Sequence, residues 1–375
     1  MWSKKRGELI TINRDLIQKL AEMLKNEHVD ALMAAPGHDL VFLLGHSPYL
    51  CERFQTLVIT AKGEAFYICN RLTEAEAIGF MDGNKVYQWM DSEGFTETVK
   101  KAFEEHNLIG KRIAVNGTVR AFNLIKLMET FEFTPVNGKH YLEMTRIIKT
   151  PEELENLRIS SQIVDKAFED IIHFIKPGMS EKDIKNELAR LCMHYGADAF
   201  MGGIVAVDAN AANPHYFGDS AIIGEHAVVE MDYGCTYKGM FSDITRTVIV
   251  GKATDREKEI YNLVLKANLA GEAAAVNGAW IPDVDMAARK VIEDAGYGYE
   301  FNHRLGHGIG YAGHEAPYIH GDNKMHLAPG MAFSCEPGIY IRNEIGVRIE
   351  DVVIINEKGE TEVLNKCTKE LVEIF

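Results

Sequence analysis

From Pro151 to Ile355 the sequence passes through one order of elements twice, and this repeat constrains the fold more than any other feature. Two amphipathic stretches, about 151 to 175 and 180 to 195, lead into strand-rich sequence through Val250. Two more, about 255 to 276 and 281 to 295, lead into strand-rich sequence from His303 to Ile355. Pro151 after Thr150, with acids behind it, marks a helix start, and Ser180 with Asp183 has the form of a capping box. A helix pair and strands that recur in one order predict an internally duplicated α/β (α+β) domain.

Residues 1–146 have a different texture, with a helix-like stretch from Asp15 to Asn26 and strand-like ones at Ala31 to Ala35 and Thr56 to Thr60. They predict a smaller α/β domain, giving domains of 1–146 and 147–375. Two domains also suit 375 residues, because single cores stop growing at roughly 250 to 300. The net charge of -15 opposes a phosphate backbone, so nucleic acid is excluded as a partner. The basic start, MWSKKRGELITINRD, has no apolar run after it, and no stretch approaches the roughly 18 apolar residues of a membrane span. Six scattered cysteines without a CxxC pair read as reduced thiols, Cys235 and Cys335 included, and place the chain in the cytoplasm.

Each copy of the repeat ends in a hairpin-like segment with two carboxylates. In VVEMDYGCTYKGMFSDITRTVIV a loop centred between residues 237 and 238 would set Asp232 directly opposite Asp243. In SCEPGIYIRNEIGVRIEDVV a turn centred on Asn343 sets Glu336 opposite Glu350. Opposed Cβ atoms lie about 4.5 to 5.5 Å apart, where two like charges destabilise unless a cation or proton intervenes. One such pair is unremarkable on a solvated strand, but two at equivalent places in a repeat point to divalent metal. Between them, HRLGHGIGYAGHEAPYI places His307 among glycines that admit close approach, in the setting of a ligand. Gly308, Gly310 and Gly313 also match the dinucleotide fingerprint, but HEAPYI follows where a helix would have to open, and His314-Glu315 is not HExxH.

Together these residues resemble the creatinase/aminopeptidase P/prolidase family (peptidase M24). The resemblance implies a pita-bread catalytic domain with pseudo-twofold duplication, preceded by a creatinase-type N-terminal domain to which FLLGHSP and TRIIKTPEEL are similar. It implies a two-metal centre on Asp232 in MDYG, Asp243 in SDITRT, His307 in GHGIG, Glu336 in EPG and Glu350 in VRIED. Two divalent cations balance four carboxylates, and an oxygen-rich set with one nitrogen favours Mn²⁺, with Co²⁺, Fe²⁺ or Zn²⁺ as alternatives. A hydroxide shared by the metals is then the expected nucleophile. By the same resemblance Glu336 shuttles the proton, His215 in NPHY and His314 contact substrate and the tetrahedral intermediate, and His303 and Arg348 order the site. Glu230 and Asp351 read as supporting or solvated acids.

The implied activity is cleavage of the Xaa-Pro bond of short proline-containing peptides, by a homodimer. Many relatives carry Arg where this chain has Tyr318, and a phenol is a weaker clamp for a dipeptide's carboxylate. That departure favours an Xaa-Pro aminopeptidase acting on longer peptides over an Xaa-Pro dipeptidase (prolidase). A non-peptide C–N hydrolase and a non-catalytic peptide-binding module are the readings from other classes.

Overall fold

The computed structural model describes residues 12–375, and the first eleven residues of the basic start lie outside them. The chain divides into two compact units, Met1–Arg146 and Ile147–Phe375. The first is a six-stranded sheet of β1 (Ala31–Ala34), β2 (Thr56–Thr60), β3 (Ala65–Asn70), β4 (Lys85–Trp89), β5 (Arg112–Val115) and β6 (Thr134–Asn137), in the order β4-β3-β2-β1-β5-β6. Helices α1 (Arg14–Asn26), α2 (His38–Leu44), α3 (Glu74–Met81), α4 (Thr96–Glu105), α5 (Ala121–Thr130) and α6 (Lys139–Arg146) complete it. Strands β1 to β3 are buried almost throughout, as strands covered on both faces must be.

In the second unit, α7 (Pro151–Phe174) and α8 (Glu181–His194) each begin with a capping box, Thr150 with Glu153 and Ser180 with Asp183. Their apolar faces, including Val164, Phe168, Ile184 and Leu188, pack on β7 (Ala199–Val207), β8 (Ala227–Tyr237) and β10 (Ile244–Val250). Phe168 is fully buried there, so its truncation to Ala would cost about 3–5 kcal/mol. A short β9 (Met240–Phe241) pairs with β8.

The second copy repeats the order with α9 (Asp255–Ala274), capped by Thr254 and Glu257, and α10 (Ile281–Asp294), followed by a second sheet. That sheet holds β11 (Gly306–Gly308), β12 (Glu315–Ile319), β13 (Ala332–Cys335), β16 (Asp351–Ile355) and β17 (Thr361–Val363), in the order β12-β11-β13-β16-β17. A hairpin of β14 (Gly338–Ile341) and β15 (Ile345–Arg348) rises from it, and β18 (Val372–Ile374) returns to the edge of the first sheet beside β10. Among the described residues, the bridge from Thr245 to Glu350 joins the two sheets. The glycine-rich stretch 308–313 is followed by β12 and no helix, which removes the dinucleotide reading.

Candidate metal centre

Asp232 stands on β8, Asp243 in the link from β9 to β10, His307 on β11, Glu336 directly after β13 and Glu350 directly before β16. Three overlapping groups gather them: Asp232, Asp243 and Glu350; His307, Glu336 and Glu350; and Asp243, His307 and His314. Within each group, one candidate ligand atom per residue lies within 4.8 Å of the others. The point where the two sheets meet is therefore the point where the acids meet.

The first hairpin corrects the register expected from its sequence. Its turn is Lys238-Gly239, with φ of 44° and 86°, one residue later than the expected centre. A two-residue turn that matches strand twist needs positive φ at both positions, which Gly239 supplies without strain. Asp232 consequently pairs with Thr245. Asp243 falls opposite Gly234 by continuation of that register and meets Asp232 on the diagonal, still on one face and within reach. The second hairpin has the expected register: Cys335 opposes Asp351 and Gly338 opposes Arg348, which sets Glu336 against Glu350, and Asn343 takes φ 61° in the turn.

These acids are crowded beyond what water alone would balance. Burial, then Asp232 and Glu336, holds Asp243 well above the ordinary carboxylate range. Glu350 is raised in the same way by burial, Asp243, Glu336 and Asp232. Glu336 is pushed up to about 7 by burial, against the downward pull of Arg348. Oε2 of Glu350 accepts a hydrogen bond from Thr245 Oγ1 at 2.7 Å, whereas its buried Oε1 has no hydrogen-bond partner. His307 donates from Nδ1 to the Gly308 carbonyl at 3.1 Å, and burial keeps its ring neutral. Its Nε2 lone pair then faces Glu336 Oε1 at 3.3 Å and Asp243 Oδ2 at 3.8 Å, which is the tautomer of a metal ligand. An orphaned buried carboxylate oxygen, mutually raised acids and a lone pair aimed among them fit divalent cations.

A buried chain of hydrogen bonds stands behind the acids. Arg348, 2% exposed, donates to Asp232 Oδ2 at 2.7 Å, Thr245 Oγ1 at 3.1 Å and the Tyr340 hydroxyl at 2.8 Å. Tyr340 in turn reaches His303 Nε2 at 3.0 Å, while His303 Nδ1 donates to the Arg304 carbonyl at 2.7 Å. Burial and the nearby Arg348 depress His303 to about 3, so it remains a neutral acceptor for Tyr340. A Cβ at position 338 would lie 2.3 Å from the Tyr340 hydroxyl, so Gly338 is what lets that ring lie across the hairpin. Ser334 Oγ joins the same layer, accepting from the His307 N–H at 3.0 Å and donating to Glu336 Oε1 at 3.1 Å.

Tyr340, Thr245 and Ser334 escaped the sequence reading. The signal for Tyr340 was present, because the register that opposes Glu336 to Glu350 also places it diagonal to Arg348. Glu230 lies 3.1 Å from Arg348 Nη2, and Asp351 pairs with Arg246 at 2.7 Å and Lys369 at 2.8 Å, so both support the layer behind the cluster. His314 is exposed, its ring centroid 3.8 Å from that of His307. His215 is exposed on the loop after β7, outside the three groups, with its ring against Phe217. Tyr318 on β12 lies under the guanidinium of Arg304, 4.8 Å from ring centroid to Cζ. The six cysteines are free thiols, and no helix among the described residues is long and apolar enough to cross a membrane.

Known proteins share this sequence and architecture. Residues 155–357 match the model of metallopeptidase family M24, and residues 17–148 that of the creatinase/prolidase N-terminal domain. A probable dipeptidase PepE of Mycobacterium tuberculosis is 33% identical over 349 residues, 92% of each chain. Among solved structures, a dipeptidase from Pyrococcus horikoshii is 34% identical with a TM-score of 0.89, over 96% of this chain and 99% of that one. A prolidase from Thermococcus sibiricus is 32% identical with a TM-score of 0.91, over 95% and 98%. The chain belongs to metallopeptidase family M24, with the creatinase-type domain ahead of the catalytic one. It is a peptidase of a family that works through a dinuclear divalent metal centre.

Proposed function

We propose that the chain is an Xaa-Pro dipeptidase whose two metal ions, manganese by choice, are held by Asp232, Asp243, His307, Glu336 and Glu350. The observation that carries this reading is the convergence of those five side chains at the seam of the two sheets, with Glu350 common to two of the groups. Asp243, His307 and Glu350 each belong to two of the three groups, so the five side chains would hold the ions as one connected set. The preference for dipeptides over longer peptides follows the relatives matched nearly end to end, which are named dipeptidase and prolidase. It reverses the order suggested by Tyr318 alone.

Bound there, the ions would supply Lewis acidity toward a carbonyl oxygen and toward water. The chain supplies the rest. Glu336 can take a proton from the attacking water and give it to the proline nitrogen as the C–N bond breaks. Partial desolvation, then Arg304, lowers the pKa of His314 and so favours its neutral form. Its Nδ1 faces Arg304 Nη2 at 3.4 Å, and a guanidinium only donates, so the proton sits on Nε2. That N–H is available to the oxyanion of the tetrahedral intermediate, and His215 is assigned a substrate contact beside it. Arg348 fixes Asp232 directly and Glu350 through Thr245, so both acids meet the metal already oriented.

The free cysteines suit a cytoplasmic enzyme, and the resemblance suits a homodimer, which sedimentation velocity can check. The activity test is hydrolysis of Ala-Pro, Ala-Pro-Ala and Ala-Ala by chelator-stripped protein, with and without Mn²⁺. Cleavage of Ala-Pro only with metal, and ahead of the others, is expected. A preference for Ala-Pro-Ala would make the enzyme an aminopeptidase, and metal uptake with no cleavage would point to a non-peptide amide.

A further inference from the structure

A dipeptide cleaved at this centre carries its free carboxylate only one residue beyond the scissile carbonyl, about 4 Å further along the chain. Such an anion, next to a cluster of acids, needs a cation that is not already spent. Arg348 is spent: it is buried and engages Asp232, Glu230, Thr245 and Tyr340. Lys149 is locked to Glu315 at 2.7 Å, with both side chains almost fully buried. Position 318 is a tyrosine.

Arg304 differs from all of these. It is half-buried, three residues before His307, with its guanidinium over the Tyr318 ring at 4.8 Å and Nη2 3.4 Å from His314 Nδ1. Among the described residues no carboxylate forms an ion pair with it, and its charge is felt at both His314 and Glu336. A guanidinium has five N–H donors, and the contact with His314 uses one. The ring beneath restrains the group, so less side-chain freedom remains to be lost when an anion docks.

Its backbone is held as firmly. The Arg304 carbonyl accepts from His303 Nδ1 at 2.7 Å, the His303 carbonyl from Arg289 Nη2 at 2.9 Å, and the Leu305 N–H donates to Asp285 Oδ1 at 3.1 Å. Arg289 and Asp285 themselves pair along α10 at 2.9 Å. The cation is thus anchored to the same helix that supports β11, and hence to His307.

We infer that Arg304 is the residue that receives the C-terminal carboxylate of the dipeptide, with Tyr318 as the platform that holds its guanidinium beside His314. The inference rests on the dipeptidase reading and explains how that reading survives without a cation at position 318. Tyr318 acts through Arg304 rather than on the substrate. A fork aimed at a carboxylate also accounts for selectivity by length, since a longer peptide presents an uncharged amide at that place.

The test uses the Mn²⁺-loaded enzyme on Ala-Pro and on Ala-Pro-NH₂, which differ only in the terminal charge. Wild type should favour Ala-Pro, and Arg304→Met, which keeps an unbranched stem against Tyr318, should lower that ratio of kcat/KM by roughly 10- to 100-fold, mainly through KM, as expected for a lost charge-assisted hydrogen bond. Arg304→Lys should recover part of the ratio and Tyr318→Leu should lose part of it, with the metal content of each variant unchanged. Calorimetric binding of L-proline against L-prolinamide gives the same comparison without turnover. If wild type fails to cut Ala-Pro but binds proline through Arg304, the dipeptidase reading fails and the anion site stands. If Arg304→Met lowers both substrates equally, or leaves both the ratio and proline binding unchanged, the inference is overturned.

Discussion

Tyr340→Phe is the sharpest test of the layer behind the metal ligands, because it deletes one oxygen and no carbon. The hydroxyl accepts from Arg348 Nη1 at 2.8 Å and donates to His303 Nε2 at 3.0 Å, and both partners are shielded from solvent. Since His303 titrates near 3, its Nε2 stays an acceptor that would be left bare, at about 1–3 kcal/mol. Arg348 would lose one charge-assisted bond while keeping Asp232, Thr245 and Glu230. Local relaxation absorbs part of each term, so the expected loss is about 2–4 kcal/mol in the metal-free protein, read as a lower urea midpoint. Looser support of Asp232 should also weaken metal binding by roughly 10- to 100-fold. A midpoint within about 0.5 kcal/mol of wild type, together with unchanged metal affinity, would refute the role given to this network.

Three further outcomes follow from the same geometry. In chelator-stripped protein Asp243, Glu336 and Glu350 titrate above their unfolded values, so they bind protons more tightly folded than unfolded. Their contribution to stability is full below about pH 4 and is lost as pH rises through about 7, the Glu336 value, while added Mn²⁺ flattens that slope; thermal melts across this range read it. Lys149→Met leaves Glu315 charged and buried and should cost about 3–5 kcal/mol in urea melts, much of it recovered in the double variant Lys149→Met/Glu315→Leu. Thr245→Val removes the hydroxyl between Arg348 and Glu350 and should reduce metal affinity more than it reduces the urea midpoint, as measured by competition with a fluorescent chelator.

The sequence was most legible where one local rule decides the structure. Helix starts at Thr150, Ser180 and Thr254 carry their own capping chemistry, so α7, α8 and α9 begin where periodicity and caps coincide. The pairing of Glu336 with Glu350 could be read because Asn343 is the one residue in its turn suited to positive φ. The first hairpin misled because both Tyr237-Lys238 and Lys238-Gly239 centre plausible turns, and only the need for positive φ at both positions selects the second. The layer behind the ligands was harder to see, since Thr245 and Ser334 reach the site across two sheets from positions that look like ordinary strand residues. Arg304 showed no signal at all, because stacking on Tyr318 joins residues fourteen apart through the β11–β12 pairing.

In the proposed centre, Asp232, Asp243, His307, Glu336 and Glu350 would together hold two divalent ions. Equilibrium dialysis of wild type and Glu350→Gln against Mn²⁺, with metal per chain counted by mass spectrometry, tests it most directly. Two ions per wild-type chain and weakened uptake in the variant are expected. A single ion in wild type, or two ions held equally tightly by Glu350→Gln, would contradict it.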